Sequence, residues 1–234
     1  MIKHKNKEEY KLIVATNPES QISEQFRSIR TSVEFSLLQD TKILVVTSSE
    51  QNSGKTLISS NLALAFAQKG KKTLLIDADM RNPSIAKYFY TPVKYGLSNL
   101  IRKKVKIEEA ICETNEKNLS ILSTGFFVPN PSDLLGGIGM KELIDTLRNK
   151  FDQIIIDTPP VLVAADATLV ASHSDGIVFV VRAGKTNKYN AKKALRLVES
   201  SGTPIIGAVV NDVKMKKNEN YYAASYYKGG GSIR

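Results

Sequence analysis

The chain has no tryptophan and a single cysteine, Cys112. No disulfide can form within it, which suits a reducing compartment. Cys112 has no histidine near it in sequence and nothing to lower its thiol pKa, so it reads as a packing residue, not a nucleophile. No run of ~18 uninterrupted apolar residues occurs, which excludes a transmembrane helix. The opening MIKHKNKEEYK lacks the apolar segment of a signal peptide, so a cytoplasmic location is expected. Acidic residues are in deficit: 33 Lys and Arg stand against 23 Asp and Glu, a formal net charge of +10. Such a balance favours phosphates, anionic surfaces or acidic partners. The small basic clusters at 3–11, 102–106 and 214–217 are not interleaved with aromatics as in a single-strand nucleic-acid platform. Direct nucleic-acid binding is not expected, and there is no internal repeat.

What is present is a core. Hydrophobic residues make up 42% of the 234, enough for one domain of ordinary size. Residues 1–20 are polar, end in Asn17-Pro18-Glu19-Ser20, and read as an arm. From Ser23 to Leu38 apolar residues at Phe26, Ile29, Val33 and Leu37 keep helical spacing, with Ser23 as the expected N-cap and Phe35 off the stripe. Short β-branched runs then alternate with helical patterns. Strands are predicted at 42–47, 73–76, 119–122, 153–156, 176–181 and 204–210. Helices are predicted from the loop after the first strand to Gln68, and over 140–149, 166–172 and 187–201. Strands apolar throughout, joined by helical crossovers, imply an α/β fold: a mostly parallel central sheet covered by helices on both faces. The domain spans 21–213. Residues 214–234 have no amphipathic period, end in a glycine run, and read as a flexible tyrosine-rich tail.

Ligands of such sheets bind beyond the carboxyl ends of the strands, and the polar motifs lie there. Ser48-Ser49-Glu50-Gln51-Asn52-Ser53-Gly54-Lys55-Thr56 runs from the first strand into a helix. Free N–H groups at a helix N-terminus suit phosphate; Lys55 can reach the β/γ-phosphates, and the Thr56 hydroxyl can ligate Mg²⁺. Ser49 stands where the plain pattern wants glycine. A GKT tripeptide alone arises by chance, but two further strands end in carboxylates: Asp77-Ala78-Asp79-Met80-Arg81 and Asp157-Thr158-Pro159-Pro160. A strand-end aspartate of this kind holds Mg²⁺ through water; its plain alternative is a turn-capping residue.

GKT, DADMR and IIIDTPP in this order resemble the deviant-Walker, MinD/ParA-like P-loop ATPases. Within them the chain is most similar to the bacterial tyrosine kinases (BY-kinases) of the capsule-assembly CapB/CpsD type. Glu24, Arg27 and Arg30 match that family's E-x-x-R-x-x-R motif, and Tyr221, Tyr222, Tyr226 and Tyr227 match its tyrosine cluster. The resemblance implies a P-loop NTPase fold and an ATP- and Mg²⁺-dependent protein-tyrosine kinase. Asp77 would be the base, Asp79 and Asp157 would orient the metal with Thr56, and Lys55 would clamp the phosphates. Arg81 is either catalytic or paired with Asp79. Asn52, Ser53, Gly54, Arg182 and Asn211 would line the nucleotide site, with Asn211 at the adenine edge. The resemblance further implies a ring of unphosphorylated subunits built through Glu24, Arg27 and Arg30, with the tail phosphorylated in trans. It implies a transmembrane activator whose cytoplasmic tail recruits the kinase to the membrane. It also implies control of capsular or exopolysaccharide synthesis, with a tyrosine phosphatase and sugar-nucleotide enzymes as partners. Two departures stand out: Gln51-Asn52 replaces the family's Pro-Gly, and Thr56 its more usual Ser. Asn tolerates a left-handed backbone best among non-glycine residues, so the loop is expected to form. A positioning ATPase, which typically carries a second lysine early in the loop, is the alternative; Ser48 to Ser53 contains none. A non-catalytic nucleotide-sensing adaptor is the other.

Overall fold

The computed structural model describes residues 12–36, 41–92 and 94–214. The tail tyrosines and Leu37, Leu38 and the first eleven residues lie outside that set. Seven strands form one sheet: β1 (Ile43–Ser48), β2 (Thr73–Asp77), β3 (Cys112–Glu113), β4 (Leu119–Leu122), β5 (Gln153–Asp157), β6 (Gly176–Arg182) and β7 (Ile205–Asn211). Their order is β3-β4-β2-β5-β1-β6-β7. Every pairing is parallel except that of the two-residue β3 on β4.

The predicted strands all form, each within a residue or two of its expected ends. Burial on both faces accounts for their unbroken apolar runs. Side chains still alternate, because successive Cβ atoms point to opposite faces. Ile43, Val45, Leu74, Ile76, Ile154, Ile156, Ile177 and Phe179 join one core cluster, whereas Leu44, Val46, Leu75, Ile155, Val178 and Val180 join the other. The first is covered by α5 (Leu97–Ile101), α6 (Ile107–Ala110), α7 (Pro131–Leu135), α8 (Ile138–Arg148), α9 (Asp166–Ala171) and α10 (Lys188–Glu199). The second is covered by α1 (Ile13–Thr16), α2 (Gln21–Glu34), α3 (Lys55–Gln68) and α4 (Ile85–Tyr88).

Helix α3 is buried from Ile58 to Ala67 without a solvent face, as expected of a helix apolar on all sides. It lies between the sheet and α1–α2. This changes the reading of the N-terminal arm. From Leu12 onward the arm packs on the domain: Val14 is fully buried, its N–H donates to Asn61 Oδ1 at 3.0 Å, and its carbonyl accepts from Gln68 Nε2 at 3.0 Å. Helix α2 also starts earlier than its spacing suggested. Ser20, not Ser23, is the N-cap, its hydroxyl accepting from Ser23 N at 3.1 Å, and Ser23 Oγ donates to Asn17 O at 2.7 Å. The Asn17-Pro18 turn closes onto the helix and leaves Ser23 inside the first turn. Phe35, off the apolar stripe, is the exposed C-cap. Helices α4 to α7 and strand β3 have too few residues to show a period, and none was predicted.

Candidate active site

Strand register builds the site. At the carboxyl edge Val46 of β1 pairs with Asp157 of β5, and Asp157 pairs with Asp77 of β2. The loop after β1 therefore lies beside both strand-end aspartates. On the other side of β1, Arg182 of β6 pairs with Asn211 of β7. Phosphate-type chemistry gathers toward β5 and β2, and the Arg182–Asn211 pair flanks the loop from the β6–β7 side.

The loop reaches α3 through two left-handed residues, Asn52 (φ 59°) and Gly54 (φ 93°). Asn52 thus takes the conformation expected of it. Gly54 is required twice over: its backbone is left-handed, and a Cβ there would fall 2.1 Å from Asn211 Nδ2. That amide donates to Ser53 O at 3.0 Å. Asn211 therefore braces the loop through its amide nitrogen. Arg182 braces it from outside, with Nη1 donating to Asn52 O at 3.1 Å and Nε paired with Asp212 Oδ2 at 2.9 Å. Within the loop, Ser48 Oγ and Ser53 Oγ both donate to Glu50 O, at 2.7 and 2.9 Å. The Glu50 carboxylate accepts from Asn190 of α10, a contact with no sequence signal.

A cavity of ≈ 230 Å³ opens above this edge, lined by Gly54, Lys55, Thr56, Asp79, Arg81, Ser84 and Pro159 among others. Lys55 is buried, and desolvation lowers its pKa against the pull of Asp157 and Asp79. Asp157 is fully buried. One oxygen accepts from Thr56 Oγ1 at 2.6 Å, and the other has no hydrogen-bond partner. Burial pushes its pKa up to about 6, with Lys55 and Thr56 holding it from rising further. An orphaned, ionisable oxygen beside a hydroxyl and an ammonium is costly unless a ligand completes it. That donor set fits a hard cation taking few protein ligands. Among the described residues no group of three or more His, Cys, Asp or Glu could hold a metal unaided. Thr56 and Asp157, with Asp79 at the rim, would hold Mg²⁺ together with phosphate oxygens and water.

Asp77 behaves differently. It is buried, and its oxygens accept from three backbone N–H groups: Asp79 at 3.2 Å, Ser84 at 2.9 Å and Ile85 at 3.0 Å. Burial and the neighbouring Asp157 push its pKa up to about 8 despite these bonds. It does not line the cavity, whereas Asp79, half-buried, does.

Arg81 does not pair with Asp79. Its Nε donates to Asp166 Oδ2 at 3.0 Å and its Nη2 to Ser132 Oγ at 3.4 Å. Neither Asp166 nor Ser132 was singled out from sequence, since they stand 85 and 51 positions from Arg81 and only the fold brings them together.

The surface triad is largely satisfied within the chain. Arg27 pairs with Glu24 and donates to Pro18 O at 2.5 Å. Arg30 turns inward, donating to Ala65 O of α3 at 3.0 Å and standing 3.9 Å from Glu34.

A nucleotide loop braced by two strands, a lysine and two strand-end carboxylates under one cavity define a P-loop NTPase of the deviant-Walker class. A family model described as ParA: NUBPL iron-transfer P-loop NTPase matches residues 39–233. With one cysteine, the chain has no thiolate pair of its own for iron. It is 40% identical over 211 residues to tyrosine-protein kinase YwqD of Bacillus subtilis (strain 168), covering 90% of this chain and 89% of that protein. It is 41% identical over 219 residues to the putative tyrosine-protein kinase CapB of Staphylococcus aureus, covering 93% and 95%. The crystal structure of the chimerical protein CapA2B2 superposes with a TM-score of 0.84 at 38% identity, over 87% of this chain and 90% of that one. The chain belongs to the bacterial tyrosine kinases of the CapB/CpsD type, and it is a protein-tyrosine kinase. The positioning-ATPase and adaptor alternatives give way to that membership.

Proposed function

We propose that this kinase transfers the γ-phosphoryl group of ATP to tyrosines of its own C-terminal cluster, Tyr221, Tyr222, Tyr226 and Tyr227, on a neighbouring chain. The observation that carries the reading is the gathering of Lys55, Thr56, Asp79 and Arg81 on one cavity lining, with Asp157 bonded to Thr56 behind it and Asp77 paired in register with Asp157. The tyrosyl oxygen forms a bond to Pγ as the Pγ–O bond to ADP breaks, and the phenolic proton passes to Asp77. Once ionised, a carboxylate whose pKa is raised to about 8 is a stronger base than one at the usual ~3.9, so its share as acceptor grows as pH rises toward 8. Lys55 and Arg81 meet the charge on the transferring group; positioning and charge neutralisation supply most of the rate. Mg²⁺, when bound, adds the divalent charge that screens the phosphate oxygens. Asn52, Ser53, Gly54, Arg182 and Asn211 shape the loop around the nucleotide.

Around this chemistry we place the partners that the family implies. A ring forms through Glu24, Arg27 and Arg30 while the tail is unphosphorylated, and each phosphate adds about −1.5 to −2 charges that loosen it. No helix among the described residues is long and apolar enough to cross a membrane. In this reading a transmembrane activator recruits the kinase to the inner face of the membrane through its cytoplasmic tail. The output is control of capsular or exopolysaccharide synthesis and export, with sugar-nucleotide enzymes as further substrates and a tyrosine phosphatase to reset the cycle. The test mixes Lys55→Met protein carrying an intact tail with active protein whose four tail tyrosines are Phe, plus Mg-ATP and the activator tail. Phosphotyrosine on the Lys55→Met chain supports transfer in trans. An unlabelled Lys55→Met chain, while intact active protein assayed alongside labels itself, overturns it.

A further inference from the structure

Among the described residues, Asp166 is the one fully buried carboxylate near the cavity that the chemistry above leaves unused. It opens α9, nine residues after Asp157, and lies beneath the cavity wall. Two groups from two separate segments meet on it. Arg81, from the loop after β2, donates through Nε to Oδ2 at 3.0 Å and through Nη2 to Oδ1 at 3.4 Å. Ser132, from the first turn of α7, donates to Oδ1 and is itself 3.4 Å from Arg81 Nη2. The contact occupies one edge of the guanidinium. The rest of Arg81 lines the cavity with Lys55, Thr56 and Asp79, and 41% of its side chain remains exposed there.

From this geometry we infer that Asp166 is a positioning residue for phosphoryl transfer: it fixes Arg81, by a two-nitrogen contact, at the cavity wall where the transferring phosphoryl group passes. A long side chain on a loop would otherwise spread over many rotamers, and freezing it at the moment of reaction would cost entropy. A planar fork held by a carboxylate on one edge is aimed before the substrate arrives. The burial of Asp166 fits this role, because a dry carboxylate left unpaired is costly and so enforces the pairing. Ser132 completes the clamp by supplying a hydroxyl to the oxygen that Nη2 shares, which ties Arg81 to α7 as well as to α9. The inference rests on Arg81 meeting the phosphoryl group, as proposed above.

The experiment follows the full chain in single-turnover transfer to the tail with Mg-ATP and activator tail, alongside the affinity for a non-hydrolysable ATP analogue and a melting curve. Arg81→Ala, Asp166→Asn, the double variant and Ser132→Ala are compared. Asp166→Asn is expected to lower the transfer rate about 10- to 30-fold, near the loss in Arg81→Ala, with analogue affinity changed by less than about threefold. The double variant should be no slower than Arg81→Ala alone, since Asp166 acts only through Arg81. Ser132→Ala should lose less, about two- to fivefold. An undiminished rate in Asp166→Asn, or losses that multiply in the double variant, overturns the inference while leaving Arg81 in its role. A full rate in Arg81→Ala overturns the role of Arg81 itself. Where Asp166→Asn melts below the assay temperature, Arg81→Lys carries the test, because lysine keeps the charge but cannot make the two-nitrogen contact. A tenfold slower rate at unchanged analogue affinity then supports the inference, and a wild-type rate overturns it.

Discussion

The two edges of the sheet treat the same side chain in opposite ways. At the amino edge Asp175 accepts from the Lys42 and Ile43 N–H groups, each at 2.8 Å, and holds Arg148 through both its oxygens. Its pKa lies below the usual value, because these partners outweigh a desolvation that alone would raise it. At the carboxyl edge Asp77 and Asp157 are more deeply buried and sit side by side, and both are raised. Asp152 and Lys42 extend the amino edge, with Lys42 Nζ donating to Arg148 O at 2.9 Å and Asp152 accepting from Lys72 N at 2.8 Å; Gln153 Nε2 donates to Lys42 O at 2.8 Å, while its buried Oε1 has no partner. The carboxyl edge instead keeps an orphaned Asp157 oxygen, an orphaned Ser49 hydroxyl and two left-handed loop residues. One edge pairs its charged groups within the chain and holds the fold together. The other leaves them for a ligand, the usual place where stability is given up for chemistry.

The strongest way to break this contrast is at Lys55. Lys55→Met should reduce tyrosine phosphorylation by at least about 10²-fold, since it removes a preorganised charge from the phosphate site. The melting temperature should stay within about 3 °C of wild type, because the ammonium is desolvated and stabilises little without its ligand. Near-normal phosphorylation with an unchanged melt would remove Lys55 from the site.

Asp157→Asn tests the cost of the unfinished edge. It should abolish Mg²⁺-dependent transfer and yet stabilise the ligand-free protein. The sign follows from linkage: a carboxyl raised to about 6 in the fold, against 3.8 when unperturbed, is protonated more in the folded state between those values. Its ionisation therefore costs stability as pH rises from about 4 to 6, and the cost is constant above. The gain from Asn should be about 1–3 kcal/mol at pH 8 and should vanish near pH 4, read by denaturant melts across pH. Loss of stability at pH 8 would mean that Asp157 supports the empty fold.

Much of this edge was legible in the sequence because each motif ends an apolar strand. Asp77, Asp157, Asn211 and the loop from Ser48 to Thr56 all follow β-branched runs whose burial dictates a parallel sheet, and parallel sheets place strand ends together. Asp166 and Ser132 were not legible, because short helices, not strand ends, carry them to Arg81. Asp175 likewise precedes β6 with nothing in its spacing to say that it caps the start of β1. The inward turn of Arg30 was hidden too: helical spacing gives a shared side, and only the packing of α2 on α3 says which residues on it meet a neighbour.

At the amino edge the expected sign reverses. Asp175→Ala should cost about 1–3 kcal/mol at pH 7, since two backbone N–H groups and Arg148 lose their acceptor. A carboxylate whose pKa is lowered by folding contributes fully above its unfolded value, near 4, and loses that contribution as pH falls through the folded one. Wild type and variant should thus converge in acid, while the transfer rate at pH 7.5 stays within about twofold. A large loss of rate without loss of stability would make the amino edge part of the site.

The smallest effect is expected where the loop departs most from its family. Asn52 holds φ 59°, a backbone that costs most L-residues about 1 kcal/mol and Asn less. Glycine adopts it freely but gives up more conformational entropy on folding, by about 0.5–1 kcal/mol. The two terms nearly cancel. The carbonyl that accepts Arg182 Nη1 is retained, and the Asn side chain is exposed, so no packing is lost. Asn52→Gly should therefore shift the melting temperature by no more than about 2 °C and tighten ATP-analogue binding by less than about threefold, measured by calorimetry. A tenfold tightening would show that the asparagine strains the loop against its nucleotide. In that case the carboxyl edge would hold strain as well as unpaired oxygens, and the difference between the two edges would be larger than the hydrogen bonds alone describe.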